Sequence, residues 1–196
     1  RARGMAEGAA LALTAPRPTL LVIDVQRAFD DPRWAHRNNP GAESRLEELL
    51  AAWRNAEAPV IHVRHRSTEP DGLFKDDGFE FKDEAAPAHG EPVVEKAVNN
   101  AFVGTDLEQR LRAAGAETVV VAGLTTDHCC STTARMASDL GFEFWFVDDA
   151  TATHSRELPD GRRFDAETMH QSALASLSEE FAEIVDTAEA VRRVAR

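Results

Sequence analysis

Three side chains of complementary reactivity stand just past separate apolar runs of this chain. Asp24 follows Thr19-Leu20-Leu21-Val22-Ile23, Lys96 ends Val93-Val94-Glu95-Lys96, and Cys129 follows Thr118-Val119-Val120-Val121-Ala122 through the turn Gly123-Leu124-Thr125-Thr126-Asp127-His128. A carboxylate that can move a proton, a cation beside it and a thiol nucleophile are the groups that covalent acyl transfer needs. Each also has an ordinary role. An Asp past a strand caps turns, a lysine is usually solvated, and a free cysteine packs as a small hydrophobe. It is their placement by independent strands at one edge that points to chemistry.

Cys129 has an adjacent rival, Cys130. After Gly123 the chain is expected to leave a strand and form a helix from about His128 to Leu140, capped by Thr126 or Asp127 and ended by Gly141. A thiol in that first turn meets unpaired N–H groups and the positive end of the helix dipole, which would lower its pKa and could hold a developing oxyanion. Cys130, turned by about 100° around the same helix, shares a face with Ala134, Ala137 and nearby Met136. Cys129 therefore reads as the nucleophile and Cys130 as packing, although a helix start one residue away would exchange the two.

The elements that must position these groups are short apolar runs alternating with amphipathic segments. Beyond those named, strands are expected at Pro59–Val63, Phe142–Val147 and Phe181–Val185. Helical spacing joins Leu46, Leu49, Leu50 and Trp53, then Leu107 and Leu111 behind a capping box of Thr105 and Glu108, then Met169, Ala173, Leu174 and Leu177. This order signifies an α/β domain with a parallel sheet covered on both faces, in which ligands bind beyond the carboxyl ends of the strands. The irregular stretch Ser67–Pro92 reads as a functional loop or a mobile insertion, with room for a short helix. A second, Phe29–Gly41, carries Trp34 and His36. Residues 1–18 are expected to be an N-terminal extension, with Arg1–Gly4 preceding the first methionine, Met5, and residues 19–196 to be one domain.

Composition narrows the partners. The chain has 196 residues and a formal charge of -12, with two cysteines and no tyrosine. Such a charge, without a basic cluster, argues against nucleic acid and against anionic membranes. Adjacent cysteines are badly placed for a structural disulfide, for zinc or for a thioredoxin-like pair, so a reducing cytoplasm fits. The run Asp24-Val25-Gln26-Arg27-Ala28-Phe29 lacks the glycines of a dinucleotide site.

The order Asp24, Lys96, Cys129, with Leu21-Val22-Ile23-Asp24-Val25-Gln26 at one end, Gly123-Leu124-Thr125-Thr126-Asp127-His128-Cys129 at the other and the segment Lys96–Glu108 between, resembles the isochorismatase-like cysteine hydrolases. The resemblance spans about Thr19 to Val191 and includes nicotinamidases, N-carbamoylsarcosine amidohydrolases and other small-amide hydrolases. It implies a three-layer α/β/α, Rossmann-like domain with a six-stranded parallel sheet, an Asp24-Lys96-Cys129 triad and a cis peptide at Leu124-Thr125. It further implies an oxyanion hole built from the Thr125 and Cys129 amides. By the same resemblance the protein is a homodimer or homotetramer whose pocket a neighbouring subunit can complete. Ala28–Pro40 and Gly123–Thr133 look most like the streptothricin-hydrolase subgroup.

Nicotinamidases of this kind bind a metal through an Asp-x-His pair and a further His. Here the matching segment reads His62-Val63-Arg64-His65-Arg66-Ser67-Thr68, and residues three apart on a strand point to opposite faces, so no metal and no cofactor are expected. Phe29, Trp34 and Phe102 are the expected substrate-binding residues, with Phe29 equally suited to anchoring its loop. Arg33, Asn39 and His154 are further polar candidates. The expected activity is hydrolysis of a small carboxamide or related C–N bond through a thioester. The alternatives are vinyl ether hydrolysis of the isochorismatase type, which needs an acid more than a thiol, and a catalytically silent member of the fold.

Overall fold

The apolar runs read from the sequence become strands, and the central ones, from Thr19 and from Thr118, are buried on both faces. The structure, a computed structural model, describes residues 16–196; residues 1–15 of the expected extension lie outside them. Six strands form one parallel sheet: β1 (Thr19–Ile23), β2 (Val60–His65), β3 (Val93–Lys96), β4 (Thr118–Leu124), β5 (Glu143–Ala152) and β8 (Glu183–Val185), in the order β3-β2-β1-β4-β5-β8. A two-stranded antiparallel ribbon, β6 (Arg156–Glu157) with β7 (Arg163–Phe164), follows β5 and had no sequence signal. The strand order reverses between β1 and β4, which opens a crevice beyond their carboxyl ends.

The two-residue period of β1 divides the core. Leu20 and Val22 pack with Leu46, Leu49, Leu50 and Trp53 of α1 (Ala42–Asn55) and with Ala190 and Val194 of α5 (Thr187–Val194). Leu21 and Ile23 pack on the other face with Leu107 and Leu111 of α2 (Leu107–Ala113), Ala134 and Ala137 of α3 (Ser131–Asp139), and Leu174 and Leu177 of α4 (Ala166–Leu177). This is the expected three-layer α/β/α domain. No helix among the described residues is long and apolar enough to cross a membrane.

Helix ends depart from expectation where side chains found other partners. The capping box before α2 does not form: Asp106 occupies the cap position, Thr105 Oγ1 lies 3.3 Å from the Leu107 amide, and Glu108 pairs with Arg112 instead. Gly141 does end α3, at φ 86°, with its N–H on Ser138 O and the Phe142 N–H on Ala137 O, a Schellman closure. The Ser67–Pro92 stretch holds two single-turn 3-10 helices, Asp76–Phe79 and Asp83–Ala85, and buries Phe79 and Ala85. Gln26 ties it down: its side-chain amide donates to the carbonyls of Phe79 at 2.9 Å and His65 at 3.0 Å and accepts from the His65 N–H.

At Gly123 the backbone of β4 runs against that of β1. Its φ is 137°, and a Cβ there would meet the Ile23 carbonyl. Gly123→Ala should therefore cost roughly 2 kcal/mol or more of stability. The expected observation is a lower urea midpoint; an unchanged midpoint would contradict this close approach.

Candidate active site

β1, β3 and the turn after β4 deliver the three chemically interesting side chains to the crevice. Asp24 takes a left-handed conformation, φ 54°, which a short polar residue tolerates and other non-glycine residues rarely adopt. Its N–H donates to Val63 O and its carbonyl accepts from the Gln26 N–H at 2.8 Å, so both sides of the bend are held. Lys96 ends β3, with β2 intervening between β3 and β1, and its long side chain reaches back over the end of β2. The Lys96 ammonium lies 2.6 Å from Asp24 Oδ2, with the two side chains 0% and 2% exposed. It also lies 3.4 Å from Cys129 Sγ and 3.3 Å from His65 Nδ1. The second carboxylate oxygen, Asp24 Oδ1, is buried without a hydrogen-bond donor.

The turn that carries Cys129 is not the expected start of an α-helix. A cis peptide joins Leu124 to Thr125, a π-helical turn covers Thr126–Cys130, and α3 begins only at Ser131. Neither Thr126 nor Asp127 caps it. The Thr126 hydroxyl bonds buried His170 Nδ1 at 2.8 Å, while Asp127 accepts the Thr153 hydroxyl and pairs with Arg156 at 3.2 Å. These ties to α4, to the residue just after β5 and to the ribbon hold the turn from outside. Within it Cys130 is fully buried beside Ala134 and Ala137, and Cys129 borders the crevice.

Electrostatics correct the expectation of a depressed thiol pKa. Burial, then the neighbouring Asp24 carboxylate, push the Cys129 thiol up to about 12, and Lys96 offsets this only in part. Burial also raises Asp24 above the ordinary carboxylate value against the pull of Lys96. Burial alone would lower Lys96, but Asp24 and Cys129 hold it above the usual lysine value. The resting site thus combines a neutral thiol, a carboxylate of increased basicity and a permanently charged ammonium. Such a set can pass the thiol proton to the carboxylate as the sulfur attacks an electrophile.

A small cavity of about 90 Å³ opens on this cluster, lined by Asp24, Phe29, Trp34, His65, Phe74, Asn99, Thr125, His128 and Cys129. Phe29 and Trp34 are both in its wall, with ring centroids 5.0 Å apart, and Phe74 packs edge-on to Phe29 at 5.2 Å. Phe102 is not: its ring stacks on Phe142 at 6.5 Å, against the α2–α3 face of the core, because the loop after Lys96 turns it inward. Arg33 pairs with Asp31 at the surface, and Asn39 donates to the carbonyls of Asp148 and Thr151, so neither reaches the cavity. His154 lies behind the aromatic wall, stacked on Trp34 at 5.0 Å. His62 is buried against Glu91 at 2.8 Å whereas His65 turns into the cavity, so the two face apart.

Four lining residues, His65, Phe74, Asn99 and His128, are not among those expected from the sequence to bind substrate or react. His65 was within reach, since the register of β2 and β3 sets it opposite Lys96, and His128 and Asn99 are neighbours of Cys129 and Lys96 in the chain. Phe74 sits in an irregular loop with no periodic pattern to mark it.

The isochorismatase domain model matches residues 18–189. The uncharacterized isochorismatase family protein YrdC of Bacillus subtilis is 42% identical over 173 residues, spanning 87% of this chain and 92% of that protein. Nicotinamidase 3 of Arabidopsis thaliana is 31% identical, over 85% of this chain and 83% of its own length. The streptothricin hydrolase of Streptomyces noursei is 33% identical, over 90% and 64%. These last two stand level, so the similarity carries the family and not the narrower streptothricin-hydrolase subgroup. An isochorismatase-family crystal structure from Chromobacterium violaceum superposes with a TM-score of 0.89 at 39% identity, over 96% of this chain and 98% of that one. With the fold, the three strand-end residues and these similarities in agreement, the chain belongs to the isochorismatase family of hydrolases.

Proposed function

We propose that this protein is a cysteine-dependent amidohydrolase that cleaves a small carboxamide or related C–N bond through a thioester. One observation carries the reading: a buried Asp24–Lys96 ion pair stands against the Cys129 thiol, with one carboxylate oxygen left free of donors. A thiol pushed up to about 12 is a poor nucleophile by itself, so a base must take its proton as it attacks. Asp24, raised by burial, is that base.

The Cys129 proton passes to Asp24 and the sulfur bonds to the carbonyl carbon, moving an electron pair onto the carbonyl oxygen. The backbone N–H groups of Thr125 and Cys129, both residues bordering the cavity, receive that oxyanion. Collapse breaks the C–N bond, and Asp24 returns its proton to the departing nitrogen, leaving a thioester on Cys129. A water then gives a proton to Asp24 and its oxygen to the carbonyl carbon. Collapse releases the acid, and the Asp24 proton returns to sulfur. Lys96 stays protonated throughout and offsets the negative charge carried in turn by carboxylate and sulfur.

A small cavity between aromatic walls suits the head of a small amide. Two of the relatives bear the names of hydrolases, one of them an amidase, in support of C–N cleavage. A thiol beside a base favours amide over ether hydrolysis, since cleavage of a vinyl ether needs protonation and no nucleophilic sulfur.

A panel of small amides, including nicotinamide, ureido compounds and lactams, should release ammonia or amine, with an acyl adduct on Cys129 seen by mass spectrometry. Cys129→Ala should abolish both while Cys130→Ala keeps most of the turnover; the reverse result, or neither release nor adduct across the panel, would overturn the reading. Asp24→Asn should lower kcat/KM on the order of a thousandfold.

The pH profile gives a separate check. Only ionised Asp24 accepts the proton, and its folded pKa is raised, so activity should fall on acidification with a midpoint above the ordinary carboxylate value of 3.8. An acid limb at or below that value would exclude Asp24 as the base.

A further inference from the structure

Lys96 has three N–H donors and no access to solvent, and each donor has one acceptor close by: Asp24 Oδ2 at 2.6 Å, His65 Nδ1 at 3.3 Å and Cys129 Sγ at 3.4 Å. Two of these belong to the reaction already described. The third, His65, is used by no step of it. An ammonium can only donate, so His65 must present a lone pair at Nδ1 and carry its proton on Nε2. Burial, then the charge on Lys96, hold this imidazole down to about 4, against the opposing pull of the Val98 carbonyl, so it is a neutral acceptor across the physiological range. Its ring is fixed from two sides. The cross-strand register sets it opposite Lys96, and Phe74 packs edge-on to it at 5.0 Å.

The free oxygen Asp24 Oδ1 gives this third hydrogen bond a consequence. Oδ1 is buried and has no donor, although the carboxyl group it belongs to is already bonded to Lys96 through Oδ2. An ammonium whose third N–H had no partner would turn it onto that oxygen, because a buried unpaired donor is costly and a carboxylate is the strongest acceptor in reach. The carboxylate would then be gripped through both oxygens and lose basicity. We propose that His65 is a positioning residue that retains one N–H of Lys96 and so reserves Asp24 Oδ1 for the proton of Cys129.

This inference rests on Asp24 as the proton acceptor, and its test separates the two. The rate at which iodoacetamide, itself a small carboxamide, alkylates Cys129 reports on removal of the thiol proton as the sulfur attacks without requiring turnover, and peptide mass spectrometry distinguishes Cys129 from Cys130. At neutral pH His65→Leu should slow alkylation about tenfold, the effect of roughly one unit of basicity lost at Asp24. His65→Asn, whose side-chain oxygen can occupy the place of Nδ1 as an acceptor, should restore the rate to within about threefold of the unsubstituted protein. Asp24→Asn should slow it as well, loss of the base outweighing relief of the carboxylate's upward push on the thiol. If Asp24→Asn slows alkylation but His65→Leu, shown to be folded by circular dichroism, does not, His65 has no positioning role and the function stands. If His65→Asn falls as far as His65→Leu, the residue acts through packing and the proposal fails. If Asp24→Asn leaves the rate unchanged or raises it, both readings fail together.

Discussion

Two opposite charges held out of water, Lys96 and Asp24 at 2.6 Å, set the terms for everything around them. Removing either ion from solvent costs several kcal/mol, and their attraction offsets this only when geometry and remaining hydrogen bonds are well satisfied. The sheet meets that requirement through its order. β2 lies between the strands that carry the two residues, and its last residue, His65, supplies the ammonium with a further acceptor where it passes overhead. The carboxylate keeps one oxygen unbonded. An unsatisfied buried oxygen is a weakness in a structural ion pair and an asset in a proton acceptor.

The thiol is brought to this pair by a turn whose shape is enforced by its neighbours. Thr126 is tied to His170 of α4, and Asp127 to Thr153 and Arg156. Thr153 is held further by Asn38, which accepts its N–H at 2.8 Å and donates to Glu167 at 3.0 Å. A partly buried network of this kind specifies one arrangement, since each member loses its partner if another moves. The residues that might have capped α3 are spent in it. α3 accordingly begins at Ser131, and Cys129 occupies a π-helical turn beside the carboxylate.

The aromatic wall answers to a different constraint. Phe29, Trp34 and Phe74 come from two irregular segments, and Gln26, two residues after Asp24, links one segment to the other through the carbonyls of Phe79 and His65. Position of the wall and position of the carboxylate are thereby coupled. The result is a small cavity bounded by rings on one side and by Asp24 and Cys129 on the other.

The alternation of apolar runs and amphipathic helices was enough to read the α/β class and the ends of β1 and β3, whereas β4 runs two residues past the expected Ala122, to Leu124. The order Asp24, Lys96, Cys129 was likewise legible, since those residues stand where such strands end. Reach across the sheet was not. His65 faces Lys96 only through strand register, Phe74 arrives on a loop without periodicity, and Phe102, half-buried, packs on Phe142 away from the cavity although it lies near Lys96 in the chain. The local signals for caps at Thr105, Thr126 and Asp127 were overruled by stronger partners elsewhere. The state of the thiol depended on tertiary structure most of all. The chain shows a cysteine after a strand, but its pKa follows from burial and from the charges that distant strands place around it, and no stretch of sequence contains those distances.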